Sequence, residues 1–159
     1  MHLRKARVEE AQTLTDLALR SKRSWGYDEP FMKAIMDDMV VLPEYLEHEY
    51  AMVAEEDGTV AAYSITRVEN GEAYLRDLFV DPPYMSKGIG ARLFADALAF
   101  ARANGAKRLS LTADPNAVKF YERRGLRIVG EEASGFVPGR KLPIMAMDLD
   151  LSGDTSESE

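Results

Sequence analysis

The stretch Tyr84-Met85-Ser86-Lys87-Gly88-Ile89-Gly90-Ala91-Arg92-Leu93-Phe94 (YMSKGIGARLF, residues 84–94) sets two glycines two apart, behind a lysine and ahead of an amphipathic run. Before it come the strand-like YLRDLFV (74–80) and the turn residues Asp81-Pro82-Pro83. After it, Gly90, Leu93, Phe94, Ala97, Leu98 and Ala101 mark one helix face, and Asn104-Gly105 ends it. The segment therefore reads strand, turn, helix. A helix start leaves unpaired N–H groups and a partial positive charge, which together favour an anion such as phosphate. Gly88 and Gly90 let backbone approach a ligand closely, and Lys87 and Arg92 add cations. The plainer alternative is a tight turn shaped by two glycines. A P-loop is excluded, because no Lys-Ser/Thr follows the second glycine. A dinucleotide fingerprint is disfavoured, because Leu93 and Phe94 stand where a third glycine belongs.

Working outward, HLRKAR (2–7) reads as a first strand and VEEAQTLTDLALRSKRSW (8–25) as a helix. A second helix is expected over EPFMKAIMDDMV (29–40), with Pro30 in its first turn, and a short extra turn over PEYLEHEY (43–50). Asp57-Gly58 and Asn70-Gly71 separate three alternating runs, which predicts an antiparallel meander over 50–81. Past the glycines, KRLSL (107–111) is a strand, PNAVKFYERRG (115–125) a helix and LRIVGEE (126–132) a strand. ASGFVPGR (133–140) is a loop, and KLPIMAMDLDL (141–151) closes as a strand. The order β-α-α-β-β-β-α-β-α-β-β is α/β (α+β in its mostly antiparallel, mixed sheet) with helices on both faces.

Bulk properties bound the function. At 159 residues with 46% hydrophobic content, one domain with a real core is expected, over 1–151. The polar, acidic SGDTSESE (152–159) is expected to be a disordered tail. There is no cysteine and only two histidines, His2 and His48, so neither disulfides nor a metal site is expected. No apolar run reaches membrane-spanning length, and the N-terminus lacks the apolar core of a signal peptide. A soluble, cytoplasmic protein without membrane contact is expected. A formal net charge of −7 argues against nucleic-acid binding.

With the elements in place, LFVDPPYMSKGIGARLFADALAFARANGAKRLSL (78–111) followed by NAVKFYERRGL (116–126) resembles the GNAT superfamily of acyl-CoA-dependent N-acyltransferases. The family's Arg/Gln-x-x-Gly-x-Gly/Ala motif falls on Met85-Ser86-Lys87-Gly88-Ile89-Gly90. Its second signature falls on Asn116, Phe120, Tyr121 and Gly125. Met85 departs from the usual Arg or Gln, which removes one side-chain contact and leaves the backbone donors in place.

The resemblance implies the family's single-domain fold and acetyl-CoA held between two splayed strands, here AYLRDLFV and KRLSL. It implies a pyrophosphate on the backbone of 85–90, an acetyl group near Phe79 and Val80, and pantetheine near Asn116. It implies direct attack by a primary amine, with Tyr121 donating a proton to the leaving thiolate. From the residues alone, Tyr121 reads rather as core packing beside Phe120 on an amphipathic helix; the motif turns the reading to the acid. An amine of pKa about 10.4 must lose a proton near neutral pH, and Asp77, Glu72 or a water chain are the options for taking it. His48 reads as a surface residue.

The acceptor would be a small metabolite or amino-acid-like amine. Trp25 and Tyr27, beside Asp28 and Glu29, are candidates to hold a cation, or else a lid packed on the helix pair. Arg140 is a candidate for a carboxylate, or else a solvated loop residue. A protein or peptide acceptor, or a non-catalytic acyl-CoA sensor, stands as the alternative. The apolar last strands leave a homodimer open.

Overall fold

A computed structural model describes residues 1–149. The acidic segment 152–159, and Leu151 at the end of the expected last strand, lie outside the described residues.

The chain forms β1 (His2–Lys5), α1 (Ala11–Arg23), α2 (Glu29–Ile35), α3 (Pro43–His48), β2 (Tyr50–Glu56), β3 (Thr59–Glu69) and β4 (Glu72–Val80). It continues through α4 (Ile89–Ala103), β5 (Arg108–Thr112), α5 (Val118–Glu122), β6 (Arg127–Ala133) and β7 (Lys141–Asp148). The strands make one sheet in the order β1-β2-β3-β4-β5-β7-β6. All neighbours are antiparallel except β4 and β5. The Asp57-Gly58 and Asn70-Gly71 turns take positive φ at both positions, the geometry that matches strand twist in a two-residue hairpin.

Helices cover both faces. On one, Leu14, Leu17 and Ala18 of α1 and Met32 and Ile35 of α2 bury against Val53, Tyr63 and Ile65. On the other, Leu93, Phe94, Ala97 and Ala101 of α4 pack on Ala62, Leu75, Leu109 and Met145, joined by Tyr121. β3 is central and buried on both faces, so its run Ala61–Thr66 is continuous rather than alternating.

The expected second helix, 29–40, ends earlier. Its last turn tightens to a 3-10 turn over Met36–Met39. That turn places Asp37 and Asp38 outward while Met39 stays buried. The expected extra turn after it is α3, opened by Pro43.

Two irregularities position the site. First, β4 pairs with β5 only over Glu72–Tyr74 against Arg108–Ser110. Beyond Tyr74 the two strands part, and a cleft opens through the sheet. Second, the β3–β4 register slips between Thr66↔Leu75 and Ile65↔Asp77, leaving Arg76 as an extra residue. This bulge turns Arg76 and Asp77 toward the same helix layer, the α1–α3 side, whereas Leu75 and Leu78 both face α4.

Candidate active site

The parted strands form one wall pair of a cleft of about 1130 Å³. The turn into α4 forms its base. Met85, Ser86, Gly88, Ile89 and Gly90 line it, and so do Phe79 and Val80 at the end of β4. The first helical bond of α4 runs from the Arg92 N–H to the Gly88 carbonyl at 3.2 Å. The N–H groups of Ile89, Gly90 and Ala91 precede it and point out of the helix end. Gly88 caps the helix at φ 82°, a left-handed conformation that Cβ-bearing residues disfavour. Gly90 is different. It is helical, and a Cβ there would sit 3.5 Å from the Phe120 ring, in ordinary contact. Ser86 also takes positive φ, at 64°. Lys87 does not line the cleft; its ammonium lies 5.9 Å from the Tyr84 ring centroid. Arg92 is exposed on the outer face of α4. Lys119, Arg123 and Arg124 of the α5 segment do face the cleft. The Met85 side chain reaches back to α1, with Sδ 3.9 Å from Ser24 Oγ.

Tyr121 lines the cleft from α5 and is 8% exposed. Its hydroxyl has no hydrogen-bond partner among the described residues. Burial and the nearby Asp77 charge hold its pKa well above that of a free tyrosine. Tyr121 belongs to the α4 face and Asp77 to the α1 face, so only the gap between β4 and β5 lets them share one space. The Tyr63 hydroxyl donates to Asp77 Oδ2 at 2.9 Å. Burial pushes the Asp77 carboxyl up to about 6, against the lowering effects of Tyr63 and Arg76 and with the help of Asp38 and Glu49. Arg76 is held elsewhere, in a two-point pair with Glu49 at 3.1 and 3.0 Å. Glu72 lies at the paired end of β4 and does not line the cleft, and His48 sits exposed beside Glu47.

A second group of expected residues meets around Asp114, which sequence reasoning did not single out. The Tyr27 hydroxyl donates to its carboxylate at 2.9 Å, and the Lys22 ammonium lies 2.8 Å away. Arg140 Nη2 is 3.5 Å from Asp114 and donates to the Tyr27 oxygen at 3.0 Å. Asn116 gives its Nδ2 to Tyr27 and Asp114 at 3.1 and 3.0 Å. Burial alone would raise the Asp114 pKa; the Lys22 charge, the Asn116 N–H and Tyr27 outweigh it and lower it. This cluster ties α1, the loop before α2, the turn after β5 and the β6–β7 loop together at the cleft mouth.

The acceptor-side expectations are redistributed by these contacts. Trp25 lines the cleft and is 47% exposed. Tyr27 does not line it; its ring stacks on Phe31 at 4.0 Å. Asp28 caps α2 by accepting the Phe31 N–H, and Glu29 pairs with Arg23, so neither carboxylate faces the cleft. Arg140 lines the cleft, but its guanidinium lies 4.6 Å from the Phe31 ring centroid and is engaged by Tyr27 and Asp114. The bulge at Arg76 also escaped the sequence reading. Its signal was there: Leu75 and Leu78 are three apart on a strand whose apolar face should repeat every two.

Residues 12–126 match the model of the acetyltransferase (GNAT) family. An uncharacterized N-acetyltransferase of Bacillus subtilis (strain 168), YhfO, is 29% identical over 153 residues, covering 86% of this chain and 94% of that protein. Among solved structures, the PaiA N-acetyltransferase of Thermoplasma acidophilum in complex with coenzyme A superposes with a TM-score of 0.77 at 20% identity, covering 93% of this chain and 98% of that one. The ribosomal-protein-S18-alanine N-acetyltransferase of Escherichia coli superposes at 0.71 with 19% identity, covering 96% of each.

Proposed function

The chain belongs to the acetyltransferase (GNAT) family, and from that premise we propose that it moves an acetyl group from acetyl-CoA to the primary amine of a small acceptor. The observation that carries this is the pairing of Tyr121 and Asp77 across the opened β4–β5 gap. An unpartnered hydroxyl and a carboxyl of raised pKa share one cleft there.

The residues present suit the coenzyme. The unpaired N–H groups at the start of α4 offer donors for a pyrophosphate, with Gly88 setting the turn and Lys119, Arg123 and Arg124 adding positive charge. Phe79 and Val80, at the unpaired edge of β4, are positioned for the acetyl and pantetheine end, and Asn116 for the arm. Met85 contributes backbone only. The coenzyme supplies an acetyl group activated as a thioester.

Asp77 takes one proton from the incoming ammonium, and Tyr63 holds that carboxyl in place. The freed nitrogen forms the amide bond as the C–S bond breaks. Tyr121 gives its proton to the departing sulfur and regains one from the nitrogen through solvent, so one proton is released overall. A base whose pKa lies near 6 is ionised at neutral pH yet basic enough to accept a proton. A protein or peptide amine is the second reading of the acceptor, favoured by the exposed Trp25 at the open mouth of the cleft.

The test is release of free CoA thiol from acetyl-CoA with a panel of amines. Tyr121→Phe should lower kcat by about a hundred- to a thousandfold while acetyl-CoA binding stays within a few fold. Binding of acetyl-CoA without turnover of any amine would replace transfer with a sensing role.

A further inference from the structure

The two ends of the cleft carry opposite charge. Lys119, Arg123 and Arg124 stand at the coenzyme end. Asp37 and Asp38 face the cleft at the other, from the 3-10 turn after α2. Both aspartates are exposed, and neither has an ion-pair partner among the described residues. Three cations that line the cleft between the two ends are already paired, Arg76 with Glu49, and Lys22 and Arg140 with Asp114, and Lys33, on α2 before the turn, does not line it. Ile35, Val40 and Leu42 line the same part of the cleft and make it apolar. The reacting centre opens into the same cleft. Tyr121, more than nine-tenths buried, turns an unpartnered hydroxyl into the same cleft. Asp38 is also close enough for its charge to raise the pKa of Asp77.

A monoamine would leave this acidic wall unmatched. An amino acid would set its carboxylate against like charge, because Arg76 and Arg140 are already paired and Arg123 and Arg124 stand at the opposite, coenzyme end. Resting on the acetyl-transfer reading above, we propose that the acceptor is a small diamine or polyamine. Its reacting nitrogen lies between Asp77 and Tyr121, its methylenes lie on Ile35, Val40 and Leu42, and its second, charged nitrogen is held by Asp37 and Asp38. The acetylated nitrogen loses its charge on reaction and the distal one keeps it, so the wall selects the acceptor and not the chemistry.

The experiment compares α,ω-diaminoalkanes of graded length with n-alkylamines and ω-amino acids of matched length, in the wild type and in the Asp37→Asn/Asp38→Asn double variant. The substitutions are isosteric and solvent-facing, and acetyl-CoA binding by the double variant certifies its fold. The best diamine should exceed its matched monoamine by roughly tenfold in kcat/KM, the weight of an ion pair or two at a solvent-facing wall. That ratio should fall toward one in the double variant, through KM. Monoamines or amino acids turned over as well as diamines would overturn this inference and leave acetyl transfer standing. A diamine preference that survives the double substitution would overturn the assignment to Asp37 and Asp38. Preference for a lysine- and arginine-rich peptide over every diamine would overturn the small-acceptor class. Silence with every amine would overturn the acetyl-transfer reading and this inference together.

Discussion

The two walls of the cleft are built in different ways. The wall proposed for the coenzyme is built chiefly on one continuous segment, from Phe79 through the Gly88 turn into α4, whose donors are backbone N–H groups, with Asn116 and the cations of the α5 segment beside it. The acceptor-side wall draws Asp37 and Asp38 from the turn after α2, Tyr63 from β3, and Arg76 and Asp77 from a bulge in β4. The first works wherever the chain bends that way. The second exists only once three distant segments are packed and the sheet has parted. Backbone chemistry tolerates side-chain change, which is why Met85 can stand where the resemblance expects Arg or Gln. Side-chain chemistry does not.

The comparison is broken most directly at Asp77. If Asp77 is the base as proposed, Asp77→Asn should lower kcat/KM by about a hundredfold or more, because the proton acceptor is gone while shape is kept. In the wild type, kcat/KM should fall as pH drops through about 6, as the carboxyl fills with its own proton. In the variant that inflection disappears, leaving only the slope from the amine. The same residue makes a stability prediction of opposite sign. Its folded pKa of about 6 lies above the ordinary 3.8, so the folded state binds more protons than the unfolded one between those values. Stability is whole below about pH 4 and is lost as pH rises through 6. Asp77→Asn should therefore melt higher than the wild type at pH 7, with the difference closing below pH 4, as thermal melts at both pH values will show. A variant less stable at pH 7 would mean that the Tyr63 bond outweighs the buried charge.

The coenzyme-side wall should respond to conformation rather than to side-chain chemistry. Gly88→Ala forces a Cβ into the left-handed region at φ 82°, at a cost of roughly 1–2 kcal/mol. That is about 3–6 °C in Tm for a chain of this size, with weaker acetyl-CoA binding measured by calorimetry. Gly90→Ala meets only ordinary contact with Phe120 and Val80 and should not lower Tm, since alanine is favoured inside a helix by about 0.5–1 kcal/mol. Equal losses at the two glycines would show that the turn needs space at both rather than a special φ at one. The smallest effect belongs to the rim. Tyr27→Phe removes the hydroxyl shared by Asp114, Asn116 and Arg140, while Lys22 still neutralises Asp114. It should cost about 1 kcal/mol by urea denaturation, with the m value unchanged.

The asymmetry between the walls also explains what could be read in advance. The hairpins at Asp57-Gly58 and Asn70-Gly71, the α4 face and the strand–turn–helix around Gly88 are local patterns, and each stands where its residues pointed. Asp114 was missed because its importance lies in Lys22, Tyr27 and Arg140, which come from across the chain. Asp37 and Asp38 fall inside the expected helix 29–40 without comment, and the 3-10 turn sets them on the cleft. Asp28 and Glu29 looked available for a ligand because a capping bond and an ion pair leave no distinct local signature.

Taken by itself, the sequence determined the elements, their order and the strand–turn–helix around Gly88, since these depend on neighbours a few residues apart. Only the tertiary structure decided that β4 and β5 part after Tyr74, that Arg76 is extra, and that Tyr121 and Asp77 meet through the opening. Those outcomes balance strand pairing, side-chain burial and charge between segments dozens of residues apart. No short stretch of the chain encodes that balance.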